Sequence, residues 1–241
     1  MKRLFILNAL LLLVLPLCIG QVKIDSSEIS SDVPALTAFH EVIYPMWHEA
    51  YPAKDIQALK NLVPEIKNKM SAVNKATLPG ILHEKETDWK NQLAKLNASA
   101  ENYYKASEQQ NQQALLDAAE DLHRNYEMMI RVIRPALQVI DNYHQSLYII
   151  FHKLYPSKDY ASIAGLMDGM IQKAEAIVNY PHDDRLKRRL DNDFTEFDAA
   201  RKNLYDATVA LKEKLAGTDN TAKDEAVLTM HKAYQRLDGL F

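Results

Sequence analysis

Apolar side chains along this chain return every three or four positions, and no stretch alternates with a period of two for long enough to make a strand. The pattern therefore predicts an all-α chain. Asp32-Val33-Pro34 reads as an N-cap followed by proline in a first turn, opening a helix that runs to about Ala50 and is closed by Tyr51-Pro52. Ile56, Leu59, Leu62, Val63, Ile66, Met70 and Val73 line one broad face of a second helix over about 54–74. Proline inside a helix removes a backbone donor, so Pro45 predicts a bend in the first helix and Pro64 a kink in the second. After a break at Thr77-Leu78-Pro79-Gly80, the spacing predicts a third helix over about 84–108 and a fourth over about 114–134.

The same order then recurs. Helices are expected over about 136–154 and 158–178, separated by Tyr155-Pro156, and a longer one over 183–216 follows the break at Asn179-Tyr180-Pro181. A turn at Gly217-Thr218-Asp219-Asn220 precedes the last helix, to about Leu237. Four amphipathic helices joined by short turns, made twice, is the pattern of two tandem four-helix bundles of up-down topology. Arg134-Pro135 leaves almost no linker, so the bundles are expected to share a kinked helix and pack rigidly.

Residue identities support a duplication. The stretch from His40 to Asp55 returns without a gap from His144 to Asp159, an offset of 104 (144 minus 40). Both copies keep His40/His144, Tyr44/Tyr148, His48/His152, Tyr51/Tyr155, Pro52/Pro156, Lys54/Lys158 and Asp55/Asp159. The expected organisation is a signal peptide over 1–20, a flexible leader over 21–32, one repeat over 33–134 and a second over 135–241.

Composition narrows the setting. Lys2 and Arg3 precede an apolar run from Phe5 to Leu17 that is short for a bilayer span, which predicts export to the periplasm or secretion, with the mature chain starting near Gln21. Cys18 as a lipid attachment site is the lesser alternative, because Pro16 and Leu17 stand where small residues belong. The folded part then has no cysteine, which excludes disulfides, thiolate metal sites, a cysteine nucleophile and covalent haem. Without Lys2 and Arg3 the 29 basic residues become 27 against 32 acidic ones, well mixed, so no nucleic-acid partner is expected, nor a membrane span once the signal is removed. The short basic run from Arg185 to Arg189 reads as a solvated helix face or, as the minor alternative, an anionic partner's surface.

The candidate chemistry lies in the histidines. His40, Tyr44, His48 and Tyr51 fall on one helical stripe beside the apolar face, but His40 and His48 are about 12 Å apart along the axis, too far to share one ion easily. His123 with Tyr126 matches His231 with Tyr234 at an offset of 108 (231 minus 123), and His83 and His182 stand just before the third helix of each repeat. Glu120 and Glu127 flank His123, whereas Leu228 and Gln235 stand at the matching places of the second copy, leaving Asp224 and Asp238 as its nearest acidic candidates. Up-down topology puts His40, His83 and His123 at one end of the first bundle, and His144, His182 and His231 at one end of the second.

The leading expectation is a non-catalytic, exported metal-binding protein. Its candidate ligands are His40, His48, His83, His123, His144, His152, His182 and His231, holding Zn, Cu, Ni or Fe through neutral imidazoles for buffering, sensing or delivery, with an envelope protein as a possible partner. Non-covalent haem b, held by His/His or His/Met with Met46, Met129, Met170 or Met230, is the second expectation. A structural or partner-binding bundle without cofactor is the third. No phosphate loop, serine-nucleophile signature or His-Glu-x-x-His motif points to an enzyme.

Overall fold

Every regular element of the described chain is a helix because the apolar spacing repeats at the helical period and the turn residues fall between those runs. The computed structural model describes residues 25–241, so the expected signal peptide and the first residues of the leader lie outside the described residues. The first half contains α1 (Pro34–Pro45), α2 (Ile56–Asn61), α3 (Val63–Lys75), α4 (Glu86–Glu108) and α5 (Gln112–Ile133). The second contains α6 (Gln138–Tyr148), α7 (Tyr160–Val178), α8 (Asp184–Arg189), α9 (Thr195–Leu215) and α10 (Asn220–Asp238). In the first half α1 packs on α3, α3 on α4 and α4 on α5; in the second, α6 packs on α7, α7 on α9, α9 on α10 and α10 on α6. No helix among the described residues is long and apolar enough to cross a membrane.

Two features refine the first helix. Val33 is the N-cap and makes no side-chain cap bond, while Asp32 accepts the Thr37 hydroxyl at 2.6 Å, so Pro34 opens the helix without the expected aspartate cap. Beyond Pro45 the helix widens into a π turn, Met46–Ala50, in which the Tyr51 N–H reaches the Met46 carbonyl at 2.9 Å. The second half widens at the same place, Ile149–Leu154, with no proline there. Proline is therefore not required for the widening.

Both widened turns end in the same corner. The Lys54 N–H bonds the Tyr51 carbonyl (3.0 Å) and the Asp55 N–H bonds the Ala50 carbonyl (2.9 Å); Lys158 to Tyr155 (2.9 Å) and Asp159 to Leu154 (3.1 Å) repeat this. Lys54 and Lys158 both adopt left-handed backbone, at φ 51° and 56°, and Asp55 and Asp159 cap the next helix through the N–H groups of Ala58 and Ser162. The recurrence of Lys and Asp is thus accounted for by chain reversal.

The sequence pattern misses three breaks. Leu62 separates α2 from α3, with Pro64 in the first turn of α3, whereas α7 runs unbroken. The long helix expected over 183–216 is divided into α8 and α9 by Asp191 and Asn192, both left-handed at φ 49° and 62°. Asp and Asn tolerate that conformation better than most residues, and neither interrupts an apolar periodicity visibly. The two halves do not share a helix either, since Arg134, placed before Pro135, is extended and ends α5.

Each half buries its own apolar cluster, and one residue crosses. Tyr148 of α6 belongs to the first half's cluster, lodged against Gly80, where a Cβ would stand only 2.0 Å from its Oη. Gly80 opens the 3₁₀ turn Gly80–Lys85, which touches α4, α5 and α6 and joins the halves. The leader residues within the described range reach the same place: the Glu28 carbonyl accepts the Ile81 N–H at 2.9 Å, and the Glu28 carboxylate receives Tyr148 and Lys153.

Candidate functional site

The π turns set the rings of each half in register. On the first stripe Tyr44 lies 4.7 Å from His48, Trp47 stacks on His123 at 4.1 Å with the planes 6° apart, and His40 lies 6.0 Å from Tyr126. On the second, Tyr148 lies 4.7 Å from His152, Phe151 stacks on His231 at 3.7 Å and 3°, and His144 lies 4.4 Å from Tyr234. Aromatic contacts of this kind hold an imidazole by its face and leave its nitrogens free at the ring edge.

The carboxylates divide into two groups. Glu120 and Asp224 serve the tyrosines of the corners and α7: Tyr51 donates to Glu120 at 3.1 Å, and Tyr160 and Lys158 donate to Asp224 at 2.6 and 2.7 Å. Glu127 instead lies 4.0 Å from His123 Nε2. Its counterpart in the second half is Gln235, at an offset of 108 (235 minus 127), so that half lacks the intrahelical carboxylate. Glu84, from the joining turn of the first half, takes the place: its Oε1 lies 3.3 Å from His231 Nε2 and accepts from Gln235 Nε2 at 3.1 Å. Sequence reasoning missed Glu84. Its only signals were its position beside His83 and the missing acid at Gln235.

Titration follows these surroundings. Burial pushes the His123 imidazole down, Glu127 opposes that, and the neighbouring His48 and His40 add to it. His144 is pushed down to about 4, mainly by burial. Desolvation likewise lowers His152, with His231 and His83 adding to the effect and Glu84 opposing it. Glu84 is held below the usual carboxylate range, first by His231. These shifts keep His123, His144 and His152 neutral, and Glu84 ionised, near pH 7.

The histidines are thus brought together differently from the expected sets. The fields of His40 and His48 act on His123, whereas that of His83 acts on His152 of the second half. His83 also lines an open cleft of about 690 Å³ with Glu28, Tyr148 and Lys153. Glu84 lies 3.3 Å from His231, and its charge also acts on His144 and His152. His182 turns to α9, stacked on Phe194 at 4.0 Å and 2.9 Å from Asp198, which also pairs with Arg201 at 2.7 Å. Among the described residues, no three His, Cys, Asp or Glu side chains stand as a group that could hold a metal ion. Comparison with family models, curated proteins and solved structures finds no match for this chain.

Proposed function

We propose that the chain is a duplicated four-helix bundle, exported and non-catalytic, that binds a transition ion such as Zn, Cu, Ni or Fe at one imidazole-and-carboxylate site in each half. Buffering, sensing or delivery in the envelope is the role this suits. The observation that carries the reading is the substitution of carboxylates: where Gln235 replaces an acid, Glu84 supplies one from the other half, 3.3 Å from the imidazole of His231. Each half thereby sets an imidazole beside a carboxylate, donors suited to borderline ions.

His123 with Glu127, and His231 with Glu84, are the pairs around which an ion would be held. His40 or His48 would complete the first set and His152 the second; all three are exposed. The ring faces of His123 and His231 are already covered by Trp47 and Phe151, which favours an ion over haem.

The stacking also favours a second reading, in which the imidazoles only pack and the protein has no cofactor. Elemental analysis and calorimetric titration of the untagged protein with each metal in turn separate the two. The expected result is about two ions per chain, with Glu127→Gln plus His123→Ala losing one and Glu84→Gln plus His231→Ala losing the other. Unchanged uptake in both variants would overturn the metal reading.

A further inference from the structure

We propose that the cleft beneath the leader is a binding site for a small carboxylate-bearing molecule, and that the Glu28 side chain is the chain's own carboxylate resting in it. The cleft opens between the leader, the turn Gly80–Lys85 and the second stripe, and its volume of about 690 Å³ suits a small organic ligand.

Glu28 shows what the cleft receives. One oxygen of its carboxylate accepts the Tyr148 hydroxyl at 3.2 Å and also pairs with the Lys153 ammonium, which lies 5.7 Å from the centre of the Tyr148 ring. An ammonium and a phenolic hydroxyl converging on one oxygen form a charge-assisted seat for an anion. The fold builds that seat. Tyr148 is buried, and its hydroxyl stands so close to Gly80 that a Cβ there would lie 2.0 Å from it, so only glycine leaves the donor room. The seat also belongs to the second half alone: the duplication keeps the tyrosine, as Tyr44 and Tyr148, but Glu49 stands where the second copy has Lys153 (153 minus 104).

The occupant can be exchanged. The leader is tied down without the Glu28 side chain, because the Glu28 carbonyl accepts the Ile81 N–H at 2.9 Å and the Glu28 N–H bonds the Asp25 carbonyl at 3.0 Å. The side chains of Glu28 and Lys153 are 37% and 30% exposed, and an ion pair so open to water is weak. A ligand carboxylate can therefore take the seat while the leader stays in place. Ser30, Thr77 and His83 line the cleft as further polar groups, and Asp32 adds a second carboxylate, one oxygen of which accepts the Thr37 hydroxyl at 2.6 Å. A plain organic acid and an α-amino acid share the carboxylate that the seat recognises; Asp32 favours the one that also carries an ammonium. The site uses neither imidazole–carboxylate pair assigned to an ion, so it stands apart from the metal reading.

The test uses the full mature chain, freed of metal by dialysis against a chelator, at low salt. Glutarate and glutamate, which differ by one ammonium group, are titrated calorimetrically. Glu28→Gln removes the internal competitor and is expected to tighten binding at least about threefold. Lys153→Gln should weaken it at least about tenfold, whereas Lys202→Gln, which removes an exposed lysine paired with Asp206, stays at the wild-type value. A preference for glutamate that disappears in Asp32→Asn identifies an amino acid; equal binding of the two identifies a plain acid. No binding to Glu28→Gln at millimolar ligand, or equal affinities in Lys153→Gln and Lys202→Gln, overturns the site, and equal affinities in wild type and Glu28→Gln overturn Glu28 as its occupant. Should Lys153→Gln fail to fold, Tyr148→Phe, which keeps the ring against Gly80 and removes only the hydroxyl, repeats the test with a loss of at least about threefold expected.

Discussion

The two stripes carry the same residue types in the same register, yet one is open and the other closed. Tyr44 is 49% exposed, whereas Tyr148 is 6% exposed beneath Gly80 and the Glu28 carboxylate. His40 is exposed, while its counterpart His144 is buried enough to hold its imidazole neutral. The difference arises outside the stripes, in the turn Gly80–Lys85, which the first half extends over α6 and which α8 does not match with an equivalent contact on α1. Two stretches identical at seven of sixteen positions thus have different environments, and with them different sources of carboxylate.

The largest expected effect comes from truncating the matched tyrosines. Tyr148→Ala should cost about 3 kcal/mol, since it empties a buried site at the junction, while Tyr44→Ala should stay within about 0.5 kcal/mol. Urea unfolding of both variants measures this, and equal losses would break the comparison.

Acid should act next on the closed stripe. The free imidazole value is 6.5 and that of folded His144 about 4, so below pH 6.5 the unfolded chain takes up a proton that the folded chain refuses. Stability is therefore complete above about pH 6.5 and is lost as pH falls toward 4, by on the order of 2–3 kcal/mol at pH 4.5. Glu84, also shifted down, adds loss of the same sign as the pH falls through its own titration. His144→Gln should flatten the dependence of melting temperature on pH between 6.5 and 4.5. An unchanged slope would show that burial of this ring does not govern acid sensitivity.

The smallest effect should be the same in both halves. Asp55→Ala and Asp159→Ala each remove one helix cap from matching corners and should each cost about 1 kcal/mol. Thermal melts showing similar losses would confine the asymmetry to the stripes, whereas a large difference would extend it to the corners.

Much of the fold was legible because amphipathic periodicity and proline act locally: the helix order and most ends follow from them. Leu62 and the Asp191-Asn192 break were hidden, since a single apolar residue and two polar ones disturb no apolar face. The histidine pairs were equally visible, but their grouping was not, because a recurring spacing does not say which element covers a stripe.

The sequence by itself determined that this protein is helical, that His40–Asp55 and His144–Asp159 match, and that imidazole and tyrosine border both apolar faces. Only the tertiary structure decided that Gly80, having no side chain, admits Tyr148 into the first core, and that Glu84 is thereby carried to His231. Helix periodicity acts over a few residues of chain, whereas the pairing of Glu84 with His231 spans 147 positions (231 minus 84) and depends on how the two halves pack.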